Sequence, residues 1–207
     1  MTRIKDAVDA VAAAIIAQKD YLTALDAKAG DGDHGLNMAR GFSAAVEAVD
    51  EMDDTQKPGP VLKTIGKALI QNVGGAAGPL YGVAFQKAGE AATDDTKLNI
   101  VSIEKLLTVA IDTIKARGKA DKGDKTMLDT LIPIRDCFLP KNSADKTLFE
   151  VLAEASKAAG EGVAYTKTIA ARKGRASLVG ERSIGVEDPG AVSSMIMYRA
   201  LYQFLKH

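Results

Sequence analysis

The sequence is poor in cysteine and in aromatic side chains, and each shortage narrows what the protein can be. Its 207 residues include one cysteine, Cys137, no tryptophan, and aromatic residues at only 5%. A single cysteine excludes a disulfide framework within the chain and is typical of a reducing compartment. The fold must therefore depend on an apolar core, and a chain of this length is long enough to bury one.

The sequence also lacks an excess of charge of either sign and a long apolar run. Lys and Arg together number 27, as do Asp and Glu, so the formal net charge is zero. This balance argues against a general attraction to nucleic acid or to an anionic membrane. The longest apolar run near the start, residues 8–17, contains Asp9 and is too short to span a bilayer. No segment resembles a signal peptide, so we expect a cytoplasmic protein with neither nucleic acid nor a membrane among its partners.

Apolar residues recur at helical rather than strand spacing. Between Ser102, a candidate N-cap, and Gly118, for example, they return every three or four positions. We predict helices near residues 3–25, 35–50, 59–73, 78–92, 102–117, 124–139, 145–172 and 189–206. Short connections, with no Pro/Ser-rich linker between them, predict one all-α domain over residues 1–207 in which neighbouring helices are antiparallel.

Glycine is concentrated where these predicted helices end. The glycine-rich patches are residues 30–35, 74–82, 118–123 and 174–190. In an up-and-down bundle, alternate loops share one end. We therefore expect several of these patches to meet at one end and to line a common site.

The first patch contains the densest group of chemically active side chains. Asp26, Asp31 and Asp33 lie within eight residues, around Gly30 and Gly32. Their mutual repulsion is unfavourable unless a cation compensates it. Because all the donors are oxygens, the pattern favours magnesium, with manganese or calcium as alternatives, over zinc. The competing interpretation is a solvated acidic turn in which Asp33 caps the next helix.

The other patches could contact an anion. Residues 74–79 precede a predicted helix, whose free N–H groups attract anions, although tight helix packing explains these small residues equally well. Residues 118–126 resemble a phosphate-binding loop with the wrong spacing, and a charged turn is the simpler interpretation. Arg175 and Arg182, in a long polar loop, suit bidentate phosphate contacts or are ordinary surface cations. His34, beside the aspartates, is typical of a hydrogen-bonded structural group.

Five ordered motifs together resemble the ADP-binding L subunit, or L domain, of dihydroxyacetone kinase. They are residues 25–26 with 30–38, residues 74–76, residues 123–127, residues 174–183 and residues 188–190. The resemblance spans essentially the whole chain, and five motifs in order are far more specific than any one of them.

The resemblance implies an eight-helix antiparallel barrel with ADP or ATP at one end. It implies that Asp26, Asp31 and Asp33 hold two Mg²⁺ ions, and that Arg175 either stabilises the transferring phosphoryl group or holds the nucleotide. The implied nucleotide contacts are His34, Gly35, Leu36, Asn37, Gly75, Ala76, Ala77, Gly118, Thr126, Met127, Arg175, Asp188, Pro189 and Gly190. Members commonly have serine at the position of Ala77, so this chain loses a hydroxyl contact there.

The resemblance also implies a reaction and its partners. The chain would pass phosphate from magnesium-bound ATP to dihydroxyacetone held on a separate K subunit, and a phosphohistidine protein of the sugar phosphotransferase system would recharge the ADP. The alternatives are a kinase subunit that exchanges free ATP and acts on a short ketose, and a regulator whose nucleotide state a transcription factor reads. A purely structural helical domain would leave the glycine and aspartate clusters unexplained.

Overall fold

The computed structural model describes residues 3–93 and 97–207, and helices account for most of them. Within these ranges there is no strand, so the prediction of an all-α fold is confirmed. The α-helices are α1 (Arg3–Ala17), α2 (Lys19–Asp26), α3 (His34–Asp50), α4 (Pro58–Asn72), α5 (Ala77–Ala91), α6 (Ile100–Gly118), α7 (Leu128–Phe138), α8 (Pro140–Ser143), α9 (Leu148–Thr166) and α10 (Pro189–Lys206). A 3-10 segment, Arg175–Ser183, precedes α10.

The structure corrects several predicted helix boundaries. The segment near residues 3–25, for which the sequence leaves open two helices or one bent helix, forms two, because Gln18 leaves the helical conformation between α1 and α2. Helix α7 begins at Leu128 rather than near residue 124, because Gly123 and Lys125 have φ angles of 94° and 60°. Helix α6 begins two residues before the predicted start, since the side chain of Asn99 caps it. Helix α9 ends at Thr166, six residues before the predicted end, and the four-residue α8 was not predicted.

The long helices pack in the order of the chain and close on themselves. Helix α1 packs on α3, α3 on α4, α4 on α5, α5 on α6, α6 on α7, α7 on α9, α9 on α10, and α10 returns to α1. The interior of this ring is apolar, with Ile15, Met38, Phe42, Leu69 and Leu128 among its most buried side chains. None of the helices in the described residues is long and apolar enough to cross a bilayer.

Contacts between helix ends show that neighbouring helices run in opposite directions. Lys5, near the start of α1, donates to the carbonyl of Met52, just past the end of α3. Arg40, near the start of α3, donates to the carbonyl of Asn72 at the end of α4. Gly118, at the end of α6, lies beside Leu80 near the start of α5. Gly190, at the start of α10, lies beside Met127 in the loop before α7. The loops before α3, α5, α7 and α10 therefore share one end of the ring, as the glycine pattern predicted.

Helices α4 and α5 approach each other through glycines spaced seven residues apart. A Cβ atom on Gly66 would lie 2.5 Å from the carbonyl oxygen of Gly82, and one on Gly89 would lie 2.7 Å from that of Gly59. Both contacts are with main-chain atoms, which cannot move aside as a side chain would. This close packing fixes the position of the α4–α5 loop at the shared end.

Candidate functional site

The three aspartates predicted to bind metal meet at the shared end of the ring. One carboxylate oxygen from each of Asp26, Asp31 and Asp33 lies within 4.8 Å of those from the other two. Asp31 and Asp33 are exposed, whereas Asp26, the last residue of α2, is more enclosed. The structure thus brings together the carboxylates that the sequence placed within one short segment.

Local hydrogen bonds hold this loop in shape. The Asp26 carboxylate accepts the backbone N–H groups of Asp33, at 3.0 Å, and of His34, at 3.2 Å, and so satisfies free donors at the start of α3. A Cβ atom on Gly30 would lie 2.1 Å from Oδ1 of Asp26, so the loop needs glycine there. Asp33 is the residue before α3 but makes no side-chain capping bond. The helix is therefore capped by Asp26, and the interpretation of Asp33 as the cap was wrong.

The charge at this cluster is only weakly compensated by protein cations. Arg175 reaches it from the 3-10 segment, with Nε 3.0 Å from the Asp31 carboxylate. Because both side chains are largely exposed, such a pair contributes at most about 1 kcal/mol. Three carboxylates of this kind, with no thiolate or imidazole in the cluster, fit a hard divalent cation such as Mg²⁺ better than zinc.

A buried hydroxyl network lies beneath this loop and connects three helices. His34 contacts the Ser193 hydroxyl through Nε2 at 3.1 Å. The Tyr81 hydroxyl donates to the carbonyl of Gly190 at 2.8 Å and lies 3.1 and 2.7 Å from the hydroxyls of Ser193 and Ser194. Burial lowers the pKa of His34 despite the neighbouring aspartates, so its imidazole is neutral at pH 7. His34 is thus a hydrogen-bonded structural group, as its sequence context indicated.

The start of α10 completes this side of the site. Asp188 accepts the backbone N–H of Ala191 at 2.7 Å and caps the helix, with Pro189 in its first turn. Burial, together with the carboxylate of Asp129, raises the pKa of Asp188 to about 7. Gly190 packs against the backbone of Met127, so the loops before α7 and α10 touch.

The α4–α5 loop provides a free helix start at the same end of the ring. Asn37 packs on Gly74, and Arg40 donates to the Asn37 side chain at 2.7 Å. Gly75 has a φ of 65° and open space where a side chain would point. Helix α5 follows, with Ala76 before it and no side-chain cap. Its first N–H groups are thus available to an anion.

The remaining predicted contact residues divide into exposed and enclosed positions. Leu36 is half exposed, and Gly35 packs so tightly on α2 that a Cβ atom there would meet the carbonyl of Lys19. Ala77 opens α5. Thr126 donates its N–H to Asp129 at 2.8 Å, and Met127 is buried.

Two residues in the α6–α7 loop have roles that the sequence analysis missed. Asp129 accepts the N–H groups of Gly123 and Thr126, at 2.6 and 2.8 Å, and is fully buried. The spacing Thr126-x-x-Asp129 is the signature of a capping box and could have revealed this role. Lys125 lies in the loop that resembles a phosphate-binding loop, but its side chain is 2% exposed and donates to main-chain carbonyls inside the protein. A local sequence signal does not distinguish such a lysine from a surface one.

Comparison with known proteins shows that the chain is similar to subunits of known kinases. The DAK2 domain model matches residues 28–203. The chain is 41% identical over 184 residues to the ADP-binding subunit DhaL of the PEP-dependent dihydroxyacetone kinase of Escherichia coli K12, covering 89% of this chain and 87% of that one. It is 38% identical over 185 residues to the corresponding subunit of the PTS-dependent enzyme of Lactococcus lactis subsp. lactis, with coverages of 89% and 88%.

A solved kinase structure also resembles this chain. The dihydroxyacetone kinase of C. freundii, in complex with AMP-PNP and Mg²⁺, superposes with a TM-score of 0.75 at 26% identity. The match covers 96% of this chain and 33% of that longer chain. The chain thus corresponds to about a third of that kinase, and to most of the length of the separate ADP-binding subunits.

Proposed function

Because this chain belongs to the DAK2 domain family, we propose that it is the nucleotide-binding subunit of a dihydroxyacetone kinase. The observation that carries the proposal is the meeting of Asp26, Asp31 and Asp33 within 4.8 Å, with Arg175 reaching the same cluster from a distant segment. The names of the ADP-binding relatives and the nucleotide complex of the C. freundii kinase support it. We propose further that residues 1–207 act as one nucleotide-binding unit.

The three carboxylates are proposed to hold two Mg²⁺ ions beside the nucleotide phosphates. Bound Mg²⁺ would offset the charge shared by the carboxylates and the phosphates. The free N–H groups at the start of α5, next to Gly75 and Ala76, suit a phosphate oxygen. Arg175, whose Nε pairs with Asp31, is proposed to hold the nucleotide or to stabilise the transferring phosphoryl group.

The proposed reaction needs two protein partners. Dihydroxyacetone would be held on a separate K subunit, and a phosphohistidine protein of the phosphotransferase system would return phosphate to the bound ADP. The relatives named as PEP-dependent and PTS-dependent enzymes support this donor over free ATP. His34 lies at the site, and because its Nε2 already contacts the Ser193 hydroxyl, we propose a structural role for it and none as a phosphate carrier.

The binding part of the proposal is tested by calorimetric titration of ADP with Mg²⁺. Asp31→Ala should abolish magnesium-dependent binding, because it removes one of the three carboxylates. Asp112→Ala is the matched control, since Asp112 is an exposed aspartate on α6, and it should bind like the wild type. Unchanged ADP binding in Asp31→Ala would refute the metal assignment.

The donor is tested separately, with the K subunit present. Phosphorylation of dihydroxyacetone should occur with a phosphohistidine donor and catalytic amounts of ADP. Equal or faster turnover with excess free ATP alone would refute the recharging route and leave a kinase that exchanges its nucleotide.

A further inference from the structure

Lys125 is a buried cation whose hydrogen bonds all go to one distant segment of the chain. It lies in the loop between α6 and α7 and is 2% exposed. Its Nζ donates to the main-chain carbonyls of Thr166 at 2.5 Å, Ile169 at 3.2 Å, Ser183 at 2.8 Å and Val186 at 2.6 Å.

These contacts use the full donor capacity of the side chain. An ammonium group has three N–H donors and no acceptor, and here four carbonyl oxygens surround it. Burial of such a charge is unfavourable unless hydrogen bonds replace its hydration. Burial lowers the pKa of Lys125, and the nearby carboxylates of Asp188 and Asp129 oppose this shift. The direct partners of the ammonium group are main-chain oxygens. The lysine is therefore a charged centre around which the segment 166–186 is wrapped.

The segment held by Lys125 carries part of the candidate site. It includes Arg175, which reaches Asp31 at 3.0 Å, and it leads directly into Asp188 at the start of α10. Its own regular structure is limited to the 3-10 segment, which is kinked at Gly180. Most of its residues are exposed or half-buried, so little apolar packing fixes its path.

We propose that Lys125 is a positioning residue for the nucleotide site. By binding carbonyls at both ends of the segment 166–186, it sets where Arg175 and the start of α10 lie relative to the carboxylate cluster. It does this from inside the protein, without touching the nucleotide. This proposal rests on the proposed function, because Arg175 and the start of α10 form a nucleotide site only if the chain binds a nucleotide there.

A second buried lysine provides a matched control. Lys5 is 6% exposed, and its Nζ donates to the carbonyls of Asp50 and Met52 at 3.2 and 2.6 Å. These carbonyls lie at the end of α3, whose 17 residues separate them by about 25 Å from the site at its start. Lys5→Met therefore removes a comparable buried ammonium far from the site.

The test compares Lys125→Met with Lys5→Met in two measurements, at a temperature where both are folded. The first is the affinity for ADP with Mg²⁺, which should fall at least about tenfold in Lys125→Met, as it does when groups that orient a site are removed. The second is the rate of trypsin cleavage within residues 172–182, a stretch with four trypsin sites, Arg172, Lys173, Arg175 and Arg182. This cleavage should be faster in Lys125→Met than in the wild type. Lys5→Met should lower the unfolding temperature and change neither measurement.

The outcomes separate this proposal from the proposed function. Wild-type affinity and wild-type cleavage in Lys125→Met would overturn the positioning role. If that variant does not fold, Lys125→Gln, which keeps two N–H donors, is judged by the same two measurements. If the wild type itself binds no ADP, the proposed function fails, and the cleavage comparison alone decides whether Lys125 holds the segment.

Discussion

Gly30 offers a sharp test of how the carboxylate cluster is built. In Gly30→Ala, the new Cβ would lie 2.1 Å from Oδ1 and 2.9 Å from Cγ of Asp26, so the carboxylate must move. Asp26 would then lose its bonds to the N–H groups of Asp33 and His34. Loss of such a cap costs about 1–2 kcal/mol of stability, and displacement of a metal ligand should weaken magnesium binding about 10- to 100-fold.

Magnesium affinity is measured by calorimetric titration, and the free energy of unfolding is measured by urea denaturation. The control is Gly160→Ala in the interior of α9, where the nearest atom to the new Cβ is the mobile end of Arg199, at 2.7 Å. Alanine there should raise stability by about 0.5–1 kcal/mol, because glycine is unfavourable inside a helix. Gly30→Ala with wild-type magnesium affinity, and a stability gain like that of the control, would refute the geometry of the loop.

Three further predictions follow from the packing, the titration and the charges of the site. Gly66→Ala should lower the free energy of unfolding by about 1–3 kcal/mol, measured in urea, because the added Cβ would meet the Gly82 carbonyl at 2.5 Å. The pKa of Asp188 rises from 3.8 to about 7 on folding. Between these two pH values the Asp188 carboxyl is protonated in the folded state and ionised in the unfolded state, so its contribution to stability falls as pH rises from about 4 to about 7. Asp188→Asn should remove that part of the pH dependence in denaturation at several pH values. Arg175→Ala should reduce phosphoryl transfer in a kinase assay while changing the unfolding free energy by less than about 1 kcal/mol, since its pair with Asp31 is exposed.

Local features of the site could be predicted from the sequence because their residues are adjacent. Asp26, Asp31 and Asp33 are separated by at most seven positions, so any fold keeps them close, and the glycines between them signalled a tight loop. Helix starts with a chemical marker, such as Pro189 at α10, were equally predictable.

Features that depend on distant contacts could not be predicted in the same way. Arg175 meets Asp31 across 144 positions of sequence, and only the shared end of the helix ring explains it. The sequence favours a charged turn over residues 118–126, whereas tertiary contacts bury Lys125 of that turn under the segment 166–186. One of these contacts lies where α9 ends, since the Thr166 carbonyl accepts from Lys125. Periodicity alone extended that helix too far.

The central claim is that this chain holds a nucleotide through magnesium at the carboxylate cluster. The most direct measurement is to purify the protein without added nucleotide, denature it, and quantify released ADP by anion-exchange chromatography beside a magnesium assay. We expect about one ADP and about two Mg²⁺ per chain, as a two-metal site requires. Protein that is empty and binds neither ADP nor ATP when both are supplied with Mg²⁺ would contradict the claim.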